Sequence, residues 1–127
     1  MAAELQLAVA YELLPENAPR FADDILAQAA QQGILLDRTA GTLDYLDSVV
    51  MSLRAGGVTV EQVPEVLLGF GCVLGEVVAA STGGRWVRAG FAVPFGLRLP
   101  DGTLLDPVGH AFTALATGAL FTDFAER

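Results

Sequence analysis

The sequence predicts an α+β fold in which three to four helices pack around a central apolar helix, with a small antiparallel β-meander. Three observations predict it. Residues 64–81, PEVLLGFGCVLGEVVAAS, are apolar on two sides. At about 100° per residue, Leu68, Gly71, Cys72, Gly75, Val78 and Ala79 share one face, with Val66, Phe70, Val73 and Val77 opposite. A helix of that kind is buried on most sides. The polar remainder is a narrow seam of Glu65, Gly69, Glu76 and Ala80. Second, two amphipathic segments precede it. Third, the pattern switches to strand-like alternation after Gly83-Gly84.

Taken in order, residues 4–14 fit either period, and the alanines, glutamates and leucines favour a helix ended by Pro15. Asn17 is then the expected N-cap of the next helix, with Pro19 in its first turn and Asp23 and Asp24 near its positive end. Phe21, Ala22, Ile25, Leu26 and Ala29 form its apolar side, and Gly33 closes it as a left-handed cap. A second helix starts at Thr39 or Thr42 and runs to Ala55. Leu43, Leu46, Val49, Val50 and Leu53 form its stripe, while Asp44, Asp47, Ser48 and Ser52 point away. Gly56-Gly57 stops it. Thr59 and Gln62 have the spacing of a capping box. Pro64 starts the central helix afresh, because a proline further along the preceding turn would clash.

Beyond the central helix, residues 85–88 read as a strand. Residues 91–99 read as a second, with Val93, Phe95, Leu97 and Leu99 on one face. Pro94 lacks a ladder donor and so implies an edge strand or a bulge. Pro100-Asp101-Gly102 is a turn, and residues 103–105 return as a short third strand. Asp106-Pro107 has the form of an N-cap followed by the first residue of a last helix. Val108, Phe112, Leu115 and Ala119 line its buried side, and Phe121 and Phe124 pack back on the body. No linker or internal repeat interrupts the chain, so residues 1–127 read as one domain.

Composition narrows the function classes. The chain has 53% hydrophobic residues, 17% charged residues and a net charge of −8, from seven arginines and no lysine against 15 acids. Disorder is excluded by that balance. Phosphate backbones and anionic membranes are repelled by it, so neither nucleic acid nor membrane is an expected partner. Cys72 is alone and allows no internal disulfide. No basic region followed by an apolar run and a cleavage site marks a signal peptide. The longest uncharged apolar run, residues 66–75, is about half a membrane span. The expected setting is the cytoplasm, and arginine without lysine in an Ala- and Gly-rich chain points to a bacterium.

The candidate sites are few. Gly69, Gly71 and Gly75 lack the dinucleotide fingerprint, since Leu74 stands where glycine or alanine is needed. Glu76 is a lone acid in the least polar stretch, where a carboxylate needs a charged or donor partner. Arg85, Arg88 and the Trp86 indole are within reach beyond the turn. A structural ion pair explains such an acid, and a pocket carboxylate with a raised pKa is the functional reading. His110 lies four residues after Asp106 on one helical face. Two ligands make an incomplete metal site and Asp106 already serves as a cap, so no metal and no cofactor is expected. No GxSxG elbow presents a serine, and no catalytic residue is assigned.

Several short motifs together resemble those of a group of small uncharacterised bacterial proteins sharing a domain of unknown function. These are Leu36-Asp37 with Thr42-Leu43 and Leu46-Asp47; Gly71, Leu74, Gly75 and Glu76 of a GxxLGE helix; Gly83, Gly84 and Trp86; and Asp106-Pro107. The resemblance spans about residues 20–125. This chain departs from the group at Cys72 and Val73, where an aromatic is common, and near Thr42, where a serine is usual. It implies the order of elements and no activity.

Two function classes follow. One is a non-catalytic interaction module, adaptor, antitoxin-like or immunity-like, binding another protein or itself as a homodimer through the edge strand near Pro94 or the first helical region. The other is a small enzyme or ligand-binding domain using Glu76, Arg85 and Trp86, with His110. Convergence of Glu76, Arg85 and His110 on one pocket would discriminate them.

Overall fold

The computed structural model describes residues 10–126. In chain order it contains α1 (Ala18–Gln31), α2 (Ala40–Ala55), α3 (Pro64–Thr82), β1 (Arg85–Arg88), β2 (Phe95–Arg98), β3 (Leu104–Leu105), α4 (Pro107–Thr117) and α5 (Phe121–Ala125). Turns of 3-10 helix occupy Pro15–Asn17 and Val60–Gln62. The mixed α+β class is the one expected. Four helices surround the central α3, and the fourth of them is a short α5 formed by the tail, which was read only as packing back. The expected helix over residues 4–14 lies partly outside the described residues, and residues 10–14 form bends instead.

α3 is the centre, with residues 67–75 buried without interruption. It is long and apolar enough to cross a membrane, but 61% of its apolar window is buried inside the fold, as in a core helix. Its small residues set the approach of its neighbours. A Cβ at Gly71 would overlap the Val108 Cα and lie 3.0 Å from the Pro107 carbonyl oxygen, so the α4 backbone crosses at that point. Gly75 receives the Trp86 ring rather than another backbone. Gly69, expected on the polar seam, is buried beneath Ile25 of α1. The seam is thus interrupted, because α1 covers it at that turn.

Glycine ends several helices as their sequence positions suggest. After α1, Gly33 takes φ +80°, and the Ile34 N–H returns to the Ala29 carbonyl at 2.9 Å. Gly57 does the same for α2, with the Val58 N–H reaching the Leu53 carbonyl at 3.0 Å. Asn17 corrects the expectation made for it. It occupies the N-cap position of α1 in a helical conformation, and its side-chain amide donates to the Glu12 carbonyl at 3.0 Å. The preceding 3-10 turn feeds directly into α1, which leaves no extended residue from which a side chain could cap.

The sheet is antiparallel in the order β1-β2-β3. The second strand is shorter than expected, Phe95–Arg98 rather than residues 91–99, because residues 91–94 form bends; Val93, Phe95 and Leu97 are nevertheless buried and Leu99 packs against the core. Pro94 marks neither an edge nor a bulge, which corrects the other local reading. It precedes β2, which is the central strand. A proline immediately before a strand keeps its missing N–H out of the ladder, and that position is compatible with a central strand.

Asp106 caps α4 as expected, accepting from the Gly109 N–H at 2.8 Å. Burial raises its carboxyl pKa above 3.8, against the opposing pull of that N–H and of His110. A carboxyl raised on folding stabilises the fold fully below 3.8, and this contribution is lost as pH rises through the folded value. Asparagine caps about as well as aspartate without a charge to bury. Asp106→Asn should therefore gain melting temperature relative to wild type as pH rises from about 3 toward neutrality. A difference that stays flat across that range would contradict the burial effect.

Candidate functional site

Glu76 is the half-buried acid of α3, and the chain reverses after it through Gly83, at φ +79°. This reversal lets the Trp86 side chain of β1 reach back to α3. The Trp86 ring lies in the notch at Gly75, beside Pro107, with its edge against Phe95 at 5.7 Å and 83°. From that seat the indole Nε1 donates to Glu76 Oε2 at 2.9 Å. The other oxygen, Oε1, accepts from Arg38 Nε at 2.9 Å. Arg38 also pairs with Asp23 of α1 through Nη2. The result is one connected strut, Asp23–Arg38–Glu76–Trp86, joining α1, the loop before α2, α3 and β1.

The Glu76 side chain is 14% exposed and the Arg38 side chain 40% exposed. Hydrogen bonds from Arg38 to Glu76 and then to Asp23 hold the guanidinium still more firmly in its charged form. Both Glu76 oxygens are engaged, and the indole and guanidinium that engage them are donors. A carboxylate held in this way is a brace, poorly placed to exchange protons with a substrate.

The four residues singled out from the sequence separate into three places. Glu76 and Trp86 meet. Arg85 lies on the opposite face of β1 from Trp86, directly across the strand pair from Arg98. His110 belongs to α4, with Nε2 2.8 Å from the Leu120 carbonyl oxygen. Because a carbonyl only accepts, that nitrogen carries the hydrogen. The imidazole packs between Phe124 at 4.8 Å and Phe121 at 5.9 Å. It adjoins an open cleft of about 460 Å³ that also includes Asp106, Gly109 and Thr113. Cys72 is fully buried, and burial pushes its thiol pKa up, away from the reactive thiolate. Among the described residues no group of three or more His, Cys, Asp or Glu side chains could hold a metal ion.

Three long-range contacts were not apparent from the sequence. Arg38 had no local signal beyond its place beside Asp37. Asp47 points toward the tail rather than into solvent, accepting from the Phe121 N–H at 2.6 Å and from the Thr122 hydroxyl at 2.9 Å. It thereby supplies the N-terminal partner that α5 lacks in its own sequence. Arg54 Nη1 donates to the Leu115 carbonyl at 2.8 Å, near the C-terminal end of α4.

The strut makes a direct prediction. Glu76→Ala leaves the Trp86 N–H and the Arg38 guanidinium without their shared acceptor and should cost about 1–2 kcal/mol. Glu76→Gln keeps an acceptor for the indole and loses only a partly exposed ion pair, so it should cost under about 1 kcal/mol. Urea unfolding of both variants checks this; equal losses would mean that the charge, and not the indole bond, matters.

Comparison with protein families, with curated proteins and with solved structures gives no match to this chain.

Proposed function

We propose that this chain is a non-catalytic interaction module of the bacterial cytoplasm, kin to the small uncharacterised proteins whose motifs it resembles, that works by docking another protein or a second copy of itself. The observation that carries the reading is Leu35, 88% exposed in the link between α1 and α2. Beside that link lies a small apolar groove of about 160 Å³, between α1, α2 and α3, lined by Ile25, Leu36, Tyr45, Val49, Val66 and Phe70. Val66, also exposed, lines the same groove, so this side of the fold presents more apolar surface than a lone leucine, and contiguous apolar surface supports a contact role. The edge near Pro94 drops out of the reading, since the strand that follows is central. The chemistry of the potential catalytic groups favours the same conclusion: the Glu76 oxygens, the His110 Nε2 and the Cys72 thiol are each committed or buried.

Leu35→Asp places a charge at this surface and should leave the fold intact, because the side chain contributes little to the core. Light scattering over a concentration series tests the homodimer. Affinity capture from the native host, followed by reconstitution from purified components, tests a heteromeric partner. The reading requires at least one of these assemblies to form with wild type and to weaken about tenfold or more with Leu35→Asp, since a central apolar contact is worth over about 1 kcal/mol. An assembly indifferent to the substitution, or no assembly in either experiment, would overturn it.

A further inference from the structure

The outer face of the sheet carries an arrangement that the fold does not require. Antiparallel pairing of β1 with β2 places Arg85 directly opposite Arg98. Like charges at such a position destabilise a sheet unless something neutralises them. Nothing does so among the described residues, where the ion pairs involve Arg38 alone. Arg98 makes one long hydrogen bond, 3.4 Å to the Gly102 carbonyl. Asp101, the carboxylate closest to it along the chain, is turned to the Thr103 N–H at 2.9 Å. Two unneutralised guanidiniums side by side are conspicuous in a chain of net charge −8 with acids to spare.

They also flank a space. An open cleft of about 560 Å³ is lined by Gly83, Arg85, Val87, Arg98 and Pro100, with Trp86 and Leu99 completing it. We infer that Arg85 and Arg98 form a binding site for a small multivalent oxyanion, a phosphate or carboxylate group whose charge supplies the missing counterion between them. Guanidiniums present planar forks of N–H donors that match both kinds of oxyanion. Val87 and Pro100 offer apolar contact to whatever carries the anionic group. The site is separate from the Leu35 surface, so it stands or falls independently of the docking reading.

The test uses the protein's single tryptophan, Trp86, which follows Arg85 in β1 and borders the cleft. Purified wild-type protein is titrated with sodium pyrophosphate and, separately, with citrate, against sodium chloride at matched ionic strength. Tryptophan fluorescence and melting temperature are followed. A saturable response to pyrophosphate, to citrate or to both is expected, and the two arms separate phosphate from carboxylate recognition. Arg85→Gln and Arg98→Gln should each weaken it about tenfold or more, the loss of one charge-assisted contact. Arg20→Gln, at the Tyr11 ring and outside the cleft lining, should leave it unchanged. Without anion, Arg98→Gln should melt no lower than wild type, because it relieves the opposed charges. Responses to both anions no larger than that to chloride, or a response that survives both cleft substitutions, would overturn the site. So would a clear fall in the melting temperature of anion-free Arg98→Gln, since the arginine would then be a structural strut.

Discussion

Phe121→Ala should destabilise the fold by about 3–5 kcal/mol, the cost of emptying a fully buried aromatic position. The ring is 0% exposed and makes an edge contact with Phe70 of α3 at 6.4 Å and 87°. It also touches His110 of α4, and its own N–H is held by Asp47 of α2. Helices α3 and α4 therefore share this one ring, while α2 holds the backbone beside it. A five-residue helix has too few internal hydrogen bonds to persist without such an anchor. For a chain of this length the loss corresponds to a drop of roughly 10–20 °C in melting temperature. Phe121→Leu retains most of the volume and should lose less than half as much. A melting temperature for Phe121→Ala within a few degrees of wild type would show that the tail docks only loosely.

Gly71→Ala should cost about 2 kcal/mol net. The substitution improves helix propensity by up to about 1 kcal/mol. That gain is outweighed because the new Cβ overlaps the Val108 Cα and meets the Pro107 carbonyl, which are backbone atoms that cannot rotate away. Overpacking of this kind costs about 1–3 kcal/mol, toward the upper end when a whole helix must shift. Gly69→Ala is the informative contrast. There a Cβ would lie 2.5 Å from Ile25 Cγ1 and 2.6 Å from its Cδ1, side-chain atoms that yield only by a turn about the restricted χ1 of a helical isoleucine or a small shift of α1. Gly69→Ala should therefore destabilise, but by less than Gly71→Ala. Denaturant unfolding of the pair distinguishes backbone contact from side-chain contact, and equal losses at both positions would refute the crossing at Gly71.

Arg38 and Asp47 show why the candidate site was only half legible. That Glu76 needed a donor followed from an acid placed in an apolar stretch, and Trp86 lay near enough along the chain to be named. Arg38 is 38 residues away, and any of the arginines satisfies the same chemical need. Likewise Asp47 and Phe121 are 74 residues apart, and the amphipathic pattern of α2 assigns Asp47 only to the face away from its stripe. The opposition of Arg85 and Arg98 depends on strand register, which a turn with intervening bends at residues 89–94 does not specify.

What the sequence by itself determined was local: the central apolar helix, the glycines at 33, 57 and 83 that end helices with positive φ, the Asp106 cap and the Asp101-Gly102 turn. Each rests on hydrogen bonds or dihedral preferences spanning a few residues, so the residues present suffice to specify them. Only the tertiary structure decided which arginine braces Glu76, which aspartate holds α5 and which arginines face each other without a counterion. Those outcomes depend on where separate elements meet, and packing geometry chooses among chemically equivalent partners that no short stretch of sequence distinguishes.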